Sequence, residues 1–401
     1  MDGGLRSALC AATLCLIVVG AGSLGKPAAD ARKAGGQAQD GGHGYFPASF
    51  FTHRLPDDAV IDRASPELVS ELRNLAMGLD PQIADCNPSP ISAKARSHAA
   101  RRGECVRVTT RAGIVADEGP ALYVVTRDQA RVPVTMGSAN PSLRRVMAAG
   151  VPIPAGAEPA LGSDRQLIIW QPGTDTMWEF WRARHAVDGW HAGFGGRIRG
   201  VSESPGHFQD VPDPTRPDSY REQHSWGGPA SSIPNLPGMI TLDDLRSGKI
   251  SHALVFATWA NNPGKWVYPA QRTDGKCRGP YCSRIPQGAR FRLGPNYKIA
   301  QLEHPLVRMI ARAVKNYGMV LNNSTGGGLA FYAEGWSQHG IEDPYNGPNG
   351  FFSADPSQLQ PTQFMSEFPW DRLRMLRRGT TCRDSAVECP APRWWPARRS
   401  R

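Results

Sequence analysis

The feature that most constrains this chain is the dipeptide Asp188-Gly189, which joins two aromatic-rich arms, WEFWRARH (Trp178–His185) and GWHAGFGGRI (Gly189–Ile198). A glycine at that place takes up positive φ without steric cost, so the dipeptide predicts a tight hairpin whose arms pair as antiparallel strands. A lone hairpin is marginal in water and needs further elements to cover its apolar face. CVRVTTRAGIVA, ALYVVTRD, RQLIIW (Arg165–Trp170), HALVFATWA and ARFRL are short β-rich runs between turn residues, and MVLNN with LAFYAEG predicts a second hairpin across STGGG. The 43 glycines and 35 prolines suit many short strands joined by turns.

Helical patterns are fewer. Ser65–Met77 begins with a capping serine and Pro66 at its first position, and Leu68, Leu72 and Leu75 fall near helical spacing. LDDLRSGKI reads as a short helix or turn. Leu302–Tyr317 carries Leu306, Met309, Ile310 and Ala313 at the 3.6-residue period, with Gly318 as C-cap. These are too few crossover helices for a doubly wound fold. The expected class is mainly β, an antiparallel β-sandwich or jelly roll with a few peripheral helices. Residues 203–235 and NNPGKWVYPAQRTDGKCRGPYCSRIPQG read as long functional loops held on that scaffold. The expected division is a signal peptide (1–25), a flexible linker (26–45), a helical and loop segment (46–103), a β-sandwich domain (104–340) and an irregular C-terminal extension (341–401) ending in the basic aromatic tail RWWPARRSR.

The N-terminus predicts export. Arg6 is the only basic residue before the apolar run Ala8–Gly22, and small residues follow, with cleavage expected between Gly20 and Gly25. The product is expected to be secreted and extracellular, and no later run is long and apolar enough to cross a membrane. Removing the signal takes away Cys10 and Cys15 and leaves Cys86, Cys105, Cys277, Cys282, Cys382 and Cys389. An even cysteine number in an exported chain predicts disulfides, and proximity suggests Cys86–Cys105, Cys277–Cys282 and Cys382–Cys389. None of these pairs is a CxxC and no histidine has zinc-finger spacing, so neither a metal nor another cofactor is expected. The formal charge of +10 points to an anionic surface or polymer as partner. No nucleic-acid module is visible, and nucleic acid is not the expected partner.

The absence of a P-loop, HExxH, GxSxG or kinase signature sets aside the familiar NTPases, zincins and α/β hydrolases. Two constellations remain. In the first, Glu179 and Trp181 share a strand face with Asp175. Asp175 and Glu179 would lie roughly 13 Å apart on a straight strand, farther than a glycosidase carboxylate pair. A hydrolase built on Glu179 therefore needs an acid from elsewhere. Trp181 and Trp190 are candidates for a sugar-stacking platform. The second constellation is Trp266-Val-Tyr268-Pro-Ala-Gln271-Arg272-Thr-Asp274. β-Elimination from a uronate needs a base for the α-proton and donors that hold the carboxylate as its charge grows. Tyr268, His191 or His252 are candidate bases, Gln271 with Arg272 candidate neutralisers, and Asp274 with His252 candidate substrate contacts.

The blocks TDTMWEFW, PAQRTDG and IPQGARFRL, with the helix LVRMIARAVKNYG, resemble an uncharacterised group of exported proteins of high-GC bacteria. The resemblance spans roughly residues 160–335 and brings no known activity with it. A more distant likeness to the jelly-roll polysaccharide lyases is at the level of fold alone. The expected function is that of an exported protein acting on an extracellular, anionic polysaccharide, with β-elimination preferred to hydrolysis. The alternatives are a glycoside hydrolase using Glu179 and a non-catalytic polysaccharide- or cell-wall-binding module.

Overall fold

The computed structural model describes residues 45–77, 112–116, 118–210, 223–258, 261–275, 284–325, 328–346, 350–352, 364–383 and 387–393. The signal, the linker up to residue 44, Cys86, Cys105, Cys277, Cys282 and the Trp394-Trp395 tail lie outside the described residues.

The hairpin forms, and one register runs along its whole length. Ala186 pairs with Gly189 and Arg184 with His191; farther from the turn Trp181 pairs with Phe194 and Thr176 with Arg199. Val187 and Asp188 make the turn, and Gly189 has φ 111°. Arg182 interrupts the first arm. Its φ of 54° lies in the left-handed region that side-chain-bearing residues rarely adopt, and its N–H leaves the ribbon to donate to the Asp164 carbonyl at 2.7 Å. The ribbon is thereby divided between two sheets. Its base, β5 (Thr176–Trp181) and β8 (Phe194–Arg199), joins β2 (Ala121–Val124) and β4 (Leu167–Gln171) in the order β2-β4-β5-β8. Its turn end, β6 (Arg184–Ala186) and β7 (Gly189–Ala192), joins β3 (Val134–Met136) in a three-stranded sheet.

A larger sheet runs in the order β1 (Ala112–Val115), β13 (Leu329–Tyr332), β9 (Leu254–Thr258), β12 (Met319–Asn323), β11 (Arg290–Leu293), β14 (Leu373–Met375). Strands outnumber helices among the described residues, in keeping with a mainly β fold. The pairings correct the expectation of antiparallel strands throughout: β1·β13, β9·β12, β2·β4 and β3·β7 are parallel, so the sheets are mixed. The expected hairpin of MVLNN with LAFYAEG is also replaced. β9 lies between β12 and β13, parallel to the first and antiparallel to the second. The reason is legible in its composition, since LVFAT is buried along its whole length and belongs in the middle of a sheet covered on both faces.

Side-chain alternation along β9 divides the core. Leu254 and Phe256 pack with Leu68 and Leu72 of helix α1 (Ser65–Met77), while Val255 and Ala257 face the other way, in one apolar cluster with Ile168 and Trp178 of the four-stranded sheet. Two shorter helices, α2 (Pro141–Ala148) and α3 (Leu242–Ser247), are each capped at the N-terminus, by Asn140 and by a Thr241–Asp244 capping box. Helix α4 (Pro305–Asn316) adds Leu306 and Ile310 to the α1 side of the larger sheet. No helix among the described residues is long and apolar enough to cross a membrane.

Parts of the first long loop and of the C-terminal extension are built into the fold. The described parts of the first long loop, 203–210 and 223–235, are mostly interior: Phe208, Trp226 and Ile233 are fully buried, and the burial continues to Ile240. Its backbone is satisfied from both sides, Gly227 N–H by the Gly195 carbonyl and Ile240 N–H by the Tyr332 carbonyl, which allows irregular chain to sit inside the protein. Beyond residue 340, β14 forms the edge of the larger sheet, and β15 (Thr381–Cys382) pairs with β10 (Trp266–Val267). The Cys382–Cys389 disulfide is formed.

Candidate functional site

Glu179 sits in the middle of β5 with no exposed surface, opposite Gly196 of β8. A side chain at 196 would strike the Phe208 ring, so glycine is required there for the interior loop to approach the ribbon. The Glu179 carboxyl accepts the Asn235 N–H at 3.1 Å; Asn235 donates through Nδ2 to Gln166 at 2.8 Å and accepts from Asn322 Nδ2 at 2.8 Å. Burial pushes the Glu179 carboxyl up to about 8, and the Asn235 bonds offset only part of that. Asp175, its expected companion on the strand face, lies outside β5 and accepts from Ser202 Oγ at 2.6 Å. Glu179 thus acts as a neutral hydrogen-bonding post between the layers, out of reach of a polymer in solvent.

The Tyr268–Gln271–Arg272 constellation is likewise interior. Tyr268 is buried against His207, with ring centroids 5.7 Å apart, and burial followed by the charge of Glu388 raises its phenol well above the usual range, the wrong direction for a base. Gln271 donates from Nε2 to the Cys389 carbonyl at 3.1 Å and accepts the Cys389 N–H, which docks the disulfide segment. Arg272 donates from Nε to Ser232 Oγ at 3.0 Å and from Nη2 to the Gly227 and Pro229 carbonyls at 2.9 Å, and its guanidinium lies 4.6 Å from the Phe194 ring centre. These donors hold the buried loop, so Arg272 is a clamp rather than a neutraliser of substrate. Asp274 accepts from Gln287 Nε2 at 2.7 Å and Ser324 Oγ at 2.6 Å. His252 is buried beside the α3 cap, 3.2 Å from Asp244. The two tryptophans make no shared platform: Trp190 is buried and stacks on His185, whereas Trp181 is half-buried and donates from Nε1 to Asp164 at 2.9 Å.

His191 alone of the candidate bases reaches an open surface. It lines a cleft of about 420 Å³ at the point where the ribbon passes from one sheet to the other, together with Arg165, Arg182 and Arg184. Those three arginines are exposed, and among the described residues no carboxylate lines the cleft. Thr135 and Ser163 add hydroxyl-bearing residues to the lining, and Met136 and Ala192 border it from the same strands with their side chains buried in the core. The shape is set by the backbone. Arg165 and Arg182 both hold left-handed conformations, φ 41° and 54°, and each segment bonds the other: Ala183 N–H donates to the Arg165 carbonyl at 3.0 Å and Arg182 N–H to the Asp164 carbonyl. Non-glycine residues in that region carry strain of about 1–3 kcal/mol each, a feature that concentrates at ligand clamps. The Arg182 guanidinium rests 4.2 Å from the Trp181 ring centre. A β-carbon at Gly193 would lie 3.2 Å from that ring, so the bare backbone lets the Trp181 ring pack close beside the cleft wall.

His191 is oriented by its neighbour. Its Nε2 lies 2.8 Å from Asp188 Oδ1 across the hairpin turn. A hydrogen bond from His191 is the first cause that holds the Asp188 carboxyl below the usual range, with a smaller share from Arg184. An ionised carboxylate only accepts, so Nε2 carries the proton and Nδ1 is the basic nitrogen. Of the cleft residues His191 was legible as a candidate, but the three arginines were not singled out. Their signal was W-R-A-R-H, two arginines at strand alternation within the aromatic arm.

Among the described residues, no group of three or more His, Cys, Asp or Glu side chains is placed to hold a metal ion. No family model, no curated protein and no solved structure matches the chain.

Proposed function

We propose that the protein is secreted and binds an extracellular anionic polysaccharide through the arginine-lined cleft beside the hairpin. The observation that carries this reading is the convergence of Arg165, Arg182, Arg184 and His191 on one open concavity, with no lining carboxylate among the described residues. Guanidinium groups present planar, fork-like donors that suit carboxylates and other oxyanions, and they stay charged at every relevant pH. A volume of about 420 Å³ is in the range of small-ligand pockets, enough for a short stretch of a chain rather than its whole length. The hydroxyl-bearing residues Thr135 and Ser163 in the lining suit sugar hydroxyls, and the +10 charge adds attraction at longer range.

Titration calorimetry of the mature protein with uronic-acid oligosaccharides and neutral oligosaccharides of equal length tests the proposal. Heat of binding from the uronates alone supports it. Equal binding of both classes, or of neither, contradicts it. The hydrolase reading centred on Glu179 finds no support in its surroundings, because the carboxyl has no exposed surface.

A further inference from the structure

We propose that the cleft is also a catalytic centre for β-elimination from a uronate, with His191 as the base, Asp188 as the residue that positions it, and the arginines as the groups that hold the substrate carboxylate. The inference rests on the proposed binding of an anionic polysaccharide and adds a reaction to it.

The juxtaposition is chemical as well as spatial. A proton on the carbon next to a carboxylate is acidic only if the charge that develops on the carboxylate oxygens is stabilised. Arg184 is the cross-strand partner of His191, and Arg182 stands at the break in the arm just before it, lining the same cleft. A base and a guanidinium therefore occupy facing positions on one ribbon, at the spacing of a β-sheet pair, about 4.5–5.5 Å between Cβ atoms. That span lets one group hold a carboxylate while the other reaches its α-carbon. The Asp188 bond fixes the His191 ring and puts the proton on Nε2, so Nδ1 is the nitrogen able to accept. Asp188 itself is on the exposed turn and does not touch substrate.

The step balances without a co-reactant. His191 Nδ1 takes the proton from C5 of the uronate, and the electron pair moves into the carboxylate as an enediolate held by the arginines. The pair returns to form the C4–C5 double bond as the C4–O4 bond breaks. The departing oxygen takes the proton from the His191 imidazolium, which restores the base. The products are one chain with a new hydroxyl end and one with an unsaturated uronate.

The experiment uses the mature protein with polygalacturonate, polymannuronate and polyguluronate, following the ultraviolet absorbance of the unsaturated product and, in parallel, binding by calorimetry. Wild-type protein should generate the chromophore on at least one polymer that it binds. His191→Gln should lower that rate by at least about 100-fold, the usual share of a positioned base, and by far more than it lowers affinity, with binding still measurable by calorimetry. Asp188→Asn should lower kcat and move the acidic limb of the pH–rate profile, which a merely structural turn residue would not do. His191→Asn, should His191→Gln fail to fold, must also remove the chromophore. Binding without any chromophore overturns the catalytic inference and leaves the binding reading intact. A full rate in His191→Gln overturns the assignment of the base. Failure of every polyuronate to bind overturns both.

Discussion

The backbone N–H of Asn235 meets the carboxyl group of Glu179 at 3.1 Å in a layer that admits no solvent to either residue. A loop rich in Pro, Ser and Gly is thereby pinned inside the molecule by a carboxyl that burial keeps protonated at neutral pH.

That contact sets a pH dependence. The folded-state value of Glu179 is about 8 against 4.5 for the free group, so between these limits the native state holds the proton and the unfolded state does not. Stability contributed by the site is full below about 4.5, falls as pH rises, and is lowest above about 8. The decline is at most about 5 kcal/mol, at about 1.4 kcal/mol per unit. Glu179→Gln keeps an acceptor for Asn235 and cannot ionise. Its Tm should match the wild type near pH 4.5 and exceed it at pH 9 by several degrees, as read by calorimetric scans. A wild-type Tm that rises between those values while the variant stays flat contradicts the assignment.

Arg272 is expected to matter for stability more than for ligand. Arg272→Ala removes three hydrogen bonds to the buried loop and should lower the unfolding free energy by about 3 kcal/mol in urea titrations. Arg272→Lys cannot reproduce the planar fork and should recover less than half of that.

The disulfide segment is a second fastener. Closing so short a loop contributes about 2–3 kcal/mol in the chain-entropy account. A Cys382→Ser, Cys389→Ser double variant should lose that amount, and Gln271→Ala should lose about 1–2 kcal/mol through the unpaired Cys389 amide. Chemical denaturation with and without reductant measures both; a reductant-insensitive wild type contradicts the first.

Binding at an exposed arginine cleft should weaken as salt rises. Between 50 mM and 500 mM sodium chloride the affinity for a uronate oligosaccharide is expected to fall by at least about tenfold, because the Debye length shrinks toward contact distance. Salt-independent affinity would point to contacts other than the arginines.

The sequence made the local elements plain where period and punctuation agreed. Ser65–Met77 is a helix over the expected span, and the ribbon around Asp188-Gly189 has the expected partners. The Asn140-Pro141 cap of α2 was present in the sequence but its short helix was overlooked. What could not be seen was long-range order. Nothing in MVLNN or LAFYAEG says that LVFAT from sixty residues earlier will enter between them. The composition of Gln223–Ile240 speaks for solvent, and partners far away in sequence, among them Glu179, Asn322, Arg272, Gly195 and Tyr332, satisfy its polar groups in the interior. The site followed the same rule. Tyr268, Gln271 and Arg272 are close along the chain and fitted a reaction on paper, yet proximity in sequence said nothing about which of their polar atoms the fold itself would use. His191 was weighed for its place on the hairpin arm, and it is the base candidate that the fold leaves facing a cleft.

The most direct test is calorimetric titration of a uronate oligosaccharide into two triple variants of equal net charge. One carries Arg165→Asn, Arg182→Asn and Arg184→Ala, with asparagine chosen because it tolerates the left-handed backbone at the first two positions. The other carries Arg63→Ala, Arg73→Ala and Lys249→Ala, exposed positions that do not line the cleft. The cleft variant should lose at least about 100-fold in affinity, two guanidinium–carboxylate contacts' worth, while the control stays within about threefold of the wild type. Equal losses in both variants, or an unchanged cleft variant, would contradict a polysaccharide site at the turn of this hairpin.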